Sequence, residues 1–325
     1  MEAIRVHQHG GPEVMQLETL PTPTPGRGQV LVRVATSGVN FYDVRQRTGD
    51  KPCTLPITLG NEGAGVVEAL GPDTAVPGVD PGARVGWQMQ QGSYATHALV
   101  SADALVPLPD VIENQLAAAV MLQGLTAHAF ACSAYPVKAG ETCLVHSAAG
   151  GLGSLLTQIA TARGARVIGT VSSSDKVEVA RKAGASDVIV RTVEHFPDAV
   201  RELTDGRGVD VVYDGVGRDT FEGSLAALRP LGYLILFGQS SGAVPPFHTH
   251  DLSHGGGRFL TQASVQQYVT NRAQLLSRAT ELFDWITGGD LKVRVAHTYP
   301  LADASTAHEA LGSGRTTGKL LLTVA

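Results

Sequence analysis

The sequence predicts an α/β protein of two domains, the first mostly β and the second a doubly wound parallel sheet with helices on its faces. Two observations carry this. Up to Pro109 the chain reads as short Val-, Ala- and Leu-rich runs cut by Pro/Gly clusters, and beyond it strand and helix patterns alternate strictly. At 325 residues the chain is long enough for two domains of ordinary size.

In the first part, residues 30–35, 63–70, 84–87, 93–100 and 104–106 are expected as strands, with turns over 21–26 and 76–82. An Ala-rich helix over 113–121 and a second over 124–134 lead into the alternation. There the expected strands are 143–147, 166–171, 188–190, 209–214 and 233–237, and the expected helices 151–163, 175–183, 195–204 and 220–228. Apolar strands joined through helices make a parallel sheet, whose right-handed crossovers set the ligand along the strand C-termini. Near the end, residues 272–287 form an amphipathic helix with Leu275, Leu276, Ala279, Leu282, Phe283 and Ile286 on one face. A last strand over 319–324 is expected to return to the first domain. The expected division is therefore 1–122 with 265–325, and 123–264.

Composition narrows the class. Hydrophobic residues make up 43 % and charged residues 17 %, the balance of a folded chain. Net charge is −5 and no Lys/Arg run stands out, which disfavours a nucleic-acid surface. The start carries no apolar segment of a secretory signal, and no run of consecutive apolar residues reaches membrane-spanning length. Three scattered cysteines argue against a disulfide framework. A soluble cytoplasmic enzyme without a membrane partner is the expectation.

The chemistry enters at Ala148-Ala149-Gly150-Gly151-Leu152-Gly153, which follows a strand and opens a helix, one residue away from G-x-G-x-x-G. Gly150 lets backbone approach a pyrophosphate and Gly153 lets helix pack on strand, while the helix N-terminus offers N–H groups and a positive dipole end. A glycine turn alone is a weak signal, but inside a strand–turn–helix–strand unit it reads as a dinucleotide site. An NAD site places an acid at the end of the next strand. Here that end carries Ser172, Ser173 and then Lys176, with Arg191 ending the following strand. Hydroxyls and cations suit a 2′-phosphate, so NADPH is the expected cofactor.

Family resemblance builds on this loop together with Gly38-Val39-Asn40-Phe41-Tyr42-Asp43 and Gly60-Asn61-Glu62-Gly63-Ala64-Gly65-Val66. These resemble the medium-chain dehydrogenase/reductase superfamily. Its zinc alcohol dehydrogenases carry Cys and His where this chain has Asn40 and Asn61, and carboxamides are poor zinc ligands beside thiolate and imidazole. The structural zinc lobe of those enzymes needs four closely spaced cysteines. No metal is therefore expected.

The chain more closely resembles the zeta-crystallin-like quinone oxidoreductase branch, over essentially its whole length. Carrying this are Gly10-Gly11-Pro12-Glu13-Val14, the 40–43 segment, Gln91-Gly92-Ser93-Tyr94-Ala95, Gln123-Gly124-Leu125-Thr126-Ala127, the loop, Val211-Val212-Tyr213-Asp214-Gly215-Val216-Gly217, Phe237-Gly238-Gln239-Ser240-Ser241-Gly242 and Ala307-His308-Glu309. The resemblance implies a GroES-like catalytic domain, a Rossmann cofactor domain and a homodimer joined at a sheet edge, for which residues 233–237 and 259–265 are candidates. It places Asn40, Phe41, Tyr42 and Thr126 near the nicotinamide, and Ala149, Gly150, Gly151, Leu152 and Gly153 on the pyrophosphate. Ser172, Ser173 and Lys176 take the 2′-phosphate. Phe237, Gly238, Gln239, Ser240, Phe259 and Thr261 form a wall, and Arg315 lies near the cofactor. The family often has tyrosines where this chain has Arg191, Arg45 and Lys51, so roles resting on those tyrosines do not carry over.

Simpler readings compete for several residues. Asn40 can serve a backbone turn, Asp43 can cap a helix, and Glu62 can pack at the vacated metal position. His128 and His146 sit in apolar surroundings and read as core. His248, His250 and His254 match no metal spacing. Without a Lewis acid, the expected substrate is a self-activated hydride acceptor, a quinone, with Asn40, Tyr42 or Arg45 as donors to the developing charge. An enone or enoyl reductase is the rival within that chemistry. An NADPH-binding structural or RNA-binding protein is the rival outside it.

Overall fold

The computed structural model describes residues 1–254 and 256–324. The chain's internal contacts divide it into two units, 1–125 with 269–289 and 293–325, and 126–268 with 290–292.

The first unit opens with β1 (Glu2–Val6), β2 (Met15–Thr19), β3 (Gln29–Val39), α1 (Phe41–Thr48), β4 (Ile57–Thr58), β5 (Glu62–Leu70), β6 (Arg84–Gln88), β7 (His97–Ser101) and β8 (Val106–Pro107). Then α2 (Asn114–Ala129) begins. Val30, Val32, Val34, Val67, Val85, Trp87 and Val100 from these strands make one core. Burial of each such side chain stabilises by about 1.5–3 kcal/mol.

The second unit continues with β9 (Thr142–Val145), α3 (Gly151–Ala162), β10 (Arg166–Val171), α4 (Val177–Lys182), β11 (Asp187–Val190), α5 (Phe196–Leu203), β12 (Val209–Asp214), α6 (Phe221–Ala227), β13 (Leu228–Leu236) and β14 (Arg258–Gln262). Its six strands pair in parallel in the order β11-β10-β9-β12-β13-β14. The order reverses between β9 and β12, which opens a ligand crevice at their C-terminal ends. Every residue of β9 and β12 is buried, as helices on both faces require.

The chain then returns to the first unit with α7 (Arg272–Thr287), β15 (Val295–Pro300), α8 (Ala304–Gly312) and β16 (Lys319–Thr323). β16 pairs antiparallel with β3, placing Leu320 opposite Val39. The last strand thus joins the sheet β15-β16-β3-β5-β6-β8, as expected.

Two expectations fail locally. The helices expected over 113–121 and 124–134 are one continuous α2, ending in a π turn over Phe130–Ala134. Gly124 reads in sequence as a break, but it serves packing: a Cβ there would lie 2.7 Å from Leu282 Cδ2 of α7. The fused run Asn114–Ala134 reaches a mean hydropathy of 1.4, long and apolar enough to cross a membrane, yet 72 % of that window is buried inside the fold. The strand expected over 104–106 is a 3-10 turn over Ala102–Ala104 followed by the two-residue β8.

Candidate functional site

In the first unit the expected site residues lie at the start of α1. Asn40 stands at the helix N-cap position, and the Asp43 carboxylate accepts its backbone N–H at 2.9 Å, so Asp43 does close the helix start. The Asn40 side chain is 6 % exposed and fully engaged. Its Nδ2 donates to Glu62 Oε2 at 2.9 Å and to Gly38 O at 3.3 Å. Its Oδ1 accepts from Lys319 Nζ at 2.7 Å and from Gln123 Nε2 at 3.4 Å. Ammonium is donor-only and carboxylate acceptor-only, so this carboxamide can point no other way. Asn40 was expected as a donor to the acceptor's developing charge, but both its amide hydrogens are already committed inward.

Around it lies a buried polar core. Glu62 is fully buried; it bonds Lys319 Nζ at 2.5 Å and accepts the Leu122 N–H at 2.5 Å. Asn61 donates to Asp43 Oδ1 at 2.8 Å and Gln46 Oε1 at 2.7 Å. Tyr94 OH links Asp43 at 3.3 Å to His308 Nε2 at 3.0 Å. Burial pushes the Asp43 carboxyl up to about 6, against the pull of its hydrogen bonds from Asn61 and Asn40 and the charge of Lys319. Burial also drops His308 to about 3, with Arg47 adding to the effect.

The outward residues of α1 differ. Phe41 is 37 % exposed, Tyr42 carries the Lys51 ammonium 5.1 Å from its ring centroid, and Arg45 donates to Asp50 O at 3.3 Å. Burial raises the Tyr42 hydroxyl, with Asp43 adding to it, so Tyr42 stays a neutral donor at physiological pH. Arg315 lies exposed after α8.

In the second unit the glycine loop connects β9 to α3. Ser147 has φ +53, a left-handed conformation uncommon outside glycine, and it turns the chain so that Gly150 becomes the N-cap of α3. The first N–H groups of α3 have no partner within the helix and form an anion site. A Cβ on Gly153 would lie 2.2 Å from Ser147 O, so that glycine permits the close helix–strand contact. A Cβ on Gly150 would meet Ser147 alone, its O at 3.1 Å and its Cβ at 4.0 Å, among the described residues, leaving the loop's outer side open to a ligand. Ala149 is 2 % exposed, Thr126 of α2 9 %, and Gly151 and Leu152 are half-buried.

Parallel pairing of β10 with β11 sets Val171 beside Val190 and brings Ser172, Ser173 and Arg191 together at adjacent strand ends. Lys176, 6 % exposed, donates to Ser172 Oγ at 2.9 Å. Burial lowers the Lys176 and Arg191 pKa values, and the Arg191 charge lowers that of Lys176 further. Arg191 Nε is buried with no hydrogen-bond partner among the described residues, and Arg191 lines a cavity of about 480 Å³ with His195, Arg218, Asp219 and Glu222. Arg218 is paired with Asp219 at 3.0 Å, so the unspent buried donor of Arg191 is the group that fits an anionic cofactor end.

The end of β13 supplies Phe237, whose ring lies 5.2 Å from that of Phe130, followed by Gly238, Gln239 and Ser240. Phe259, expected in the same wall, lies elsewhere. The register pairs it with Tyr233, three residues before Leu236, and its ring stacks on Tyr233 at 4.4 Å. Thr261 pairs with Ile235, nearer the strand end. His128 and His146 are core residues, 3 % and 2 % exposed. His146 bonds Thr170 Oγ1 and Ser224 Oγ, each at 2.9 Å. Among the described residues no group of three or more His, Cys, Asp or Glu is placed to hold a metal ion, the 248–254 histidines included.

Lys319, Tyr94, His308 and Gln46 are members of the polar core that sequence reasoning missed as site residues. Lys319 heads an apolar strand and reads there as a solvated strand end; its partner Glu62 is 257 positions away.

A mostly β unit with such a polar core, joined in one chain to a parallel sheet with a glycine loop, defines a medium-chain dehydrogenase/reductase. The family model for the alcohol dehydrogenase GroES-like domain matches residues 26–110, and that for zinc-binding dehydrogenase matches 151–284. Quinone oxidoreductase 1 of Escherichia coli (strain K12) is 41 % identical over 323 residues, 98 % of each chain. The 2-haloacrylate reductase of a Burkholderia species is 38 % identical over 326 residues, 98 % of this chain and 97 % of that one. The crystal structure of Escherichia coli quinone oxidoreductase complexed with NADPH superimposes with a TM-score of 0.97 at 39 % identity, covering 99 % of this chain and all of that one. The chain belongs to the quinone oxidoreductase family.

Zinc, which the second family model's description implies, does not fit the residues present. Asn40 and Asn61 offer carboxamides at the expected ligand positions, and an ammonium bonds the oxygen of Asn40.

Proposed function

We propose that this chain reduces quinones with NADPH, without a metal. The observation that carries the reading is the pairing of an open glycine loop with the Ser172–Lys176–Arg191 cluster, an anion site for pyrophosphate beside one for a 2′-phosphate. NADPH, when bound, supplies a hydride. The α3 N–H groups and Ala149, Gly150, Gly151, Leu152 and Gly153 hold its pyrophosphate. Ser172, Ser173, Lys176 and Arg191 hold the phosphate on its ribose, and the cavity beside Arg191 gives room for the adenosine end. Thr126, Phe237, Gly238, Gln239, Ser240 and Thr261 complete its seat.

Tyr42 and Arg45 are the donors to the charge developing on the quinone oxygens, because Asn40's amide hydrogens are spent on Glu62 and Gly38. Asn40 anchors the helix that presents them. The protein's contribution is orientation and exclusion of water, and a quinol oxyanion can take its proton from solvent.

The reading extends to a homodimer built on the β14 edge, where Phe259 is 47 % exposed, Leu231 of the adjoining β13 is 58 % exposed, and an uncovered strand would otherwise invite aggregation. A cytoplasmic location accords with the three free cysteines. Gel filtration at low micromolar concentration tests the dimer. NADPH oxidation measured with phenanthrenequinone, benzoquinone and an α,β-unsaturated ketone side by side tests the substrate. Faster turnover of the ketone than of either quinone would replace quinone reduction with enone reduction.

A further inference from the structure

The buried Lys319–Glu62 pair has no place in the reaction as described, and its setting is specific. Lys319 is 1 % exposed and Glu62 not at all, so two charges have been taken wholly out of water. An apolar pair of similar volume often serves stability as well or better. The seat is nonetheless built for these charges. Gly38 leaves the room: a Cβ there would lie 2.2 Å from Glu62 Oε2. The Leu122 N–H and the Asn40 carboxamide supply the remaining bonds. Moreover, the pair ends on Asn40, at one of the two positions where zinc relatives would carry a ligand. The other such position, Asn61, is held by Asp43 and Gln46.

We infer that the Lys319 ammonium is a tethered cation that stands in for a metal ion in this polar core. It neutralises Glu62, fixes the Asn40 carboxamide at the head of α1, and electrostatically excludes a divalent ion. Lys319 is thus a positioning residue. It acts through Asn40 on the helix that presents Tyr42 and Arg45, and on turnover more than on cofactor affinity, because the pyrophosphate and 2′-phosphate sites belong to the other unit. The turnover part rests on the proposed quinone reduction; the exclusion of metal does not.

The test has two arms. In the first, Lys319→Met is compared with Lys319→Arg and with the double variant Lys319→Met/Glu62→Gln, which removes both charges. The single Met variant lowers Tm by about 5 °C or more, because it strands a buried carboxylate. The double variant recovers most of that loss. Its kcat with quinone nevertheless stays down about tenfold while the NADPH Kd moves less than about threefold, and Lys319→Arg retains most of kcat. If kcat recovers along with Tm in the double variant, the pair is merely structural and the positioning role is refuted.

In the second arm, Asn40→Cys/Asn61→His is loaded with Zn²⁺ and desalted, with Lys319 retained or changed to Met, and bound zinc is measured alongside circular dichroism. Zinc is expected only in the variant lacking the ammonium. Stoichiometric zinc with Lys319 in place, or none in either folded variant, overturns the exclusion. A wild type that turns over no quinone would defeat the proposed function and leave this second arm intact.

Discussion

Replacing Lys176 by Met should cut the preference for NADPH over NADH by about 30- to 150-fold. Lys176 is 6 % exposed and its ammonium is already oriented by its 2.9 Å bond to Ser172 Oγ, so little conformational entropy is lost when a phosphate arrives. Its removal deletes one charge-assisted hydrogen bond, worth about 2–3 kcal/mol in a partly desolvated site. That corresponds to about 30- to 150-fold in NADPH affinity. NADH has no phosphate at that position, and its affinity should move less than about twofold. The assay is the Kd of each nucleotide from quenching of intrinsic fluorescence, or KM for each at fixed quinone. Because a phosphate monoester loses its second proton near pH 6, the gap between wild type and variant should narrow below that pH. Parallel weakening of both nucleotides would mean that Lys176 supports the fold of the strand end instead. An unchanged NADPH affinity would remove it from the site.

Two further outcomes test the loop and the buried titrating groups. Gly153→Ala forces a Cβ to 2.2 Å from a backbone oxygen and should destabilise the protein by about 2 kcal/mol or more, read as a fall in Tm; Gly150→Ala, whose Cβ comes no nearer than 3.1 Å to that oxygen, should keep Tm nearly unchanged and lose NADPH binding. Equal Tm loss in the two variants would refute this division of labour. Stability should also fall as pH drops from about 6.5, because His146 and His308 stay neutral in the fold down to about 4 and 3 and take up protons on unfolding. Asp43, raised to about 6, has the opposite sign: its stabilisation is full below the ordinary carboxylate pKa and is lost as pH rises through 6. Near pH 5 these three groups sum to an uptake of about one proton on unfolding, a slope of about 1.4 kcal/mol per pH unit. Asp43→Asn should bring that uptake near two, measured by urea unfolding across pH 4.5–6; an unchanged slope would show that Asp43 does not titrate there.

The alternation of apolar strands with helices, and a loop of Gly150, Gly151 and Gly153 at the head of one of them, determined the parallel sheet and its ligand end from sequence alone. These are local signals: period, turn chemistry and strand-end residues are written within about thirty positions of one another. That Ser172, Lys176 and Arg191 lie close together was legible for the same reason, since adjacent parallel strands end at the same level. What the tertiary structure decided is long-range. Gly124 reads as a helix break until Leu282 is found pressing on it. Phe259 reads as part of the cofactor wall until the β13–β14 register sets it against Tyr233. Asn40 reads as a free donor until Lys319 and Glu62, far away in the chain, are seen to claim both ends of its carboxamide. Sequence patterning reports which residues face inward, because burial repeats with the period of the element. It does not report which buried polar groups meet, because hydrogen-bond partners are chosen by strand register and sheet closure across the whole chain.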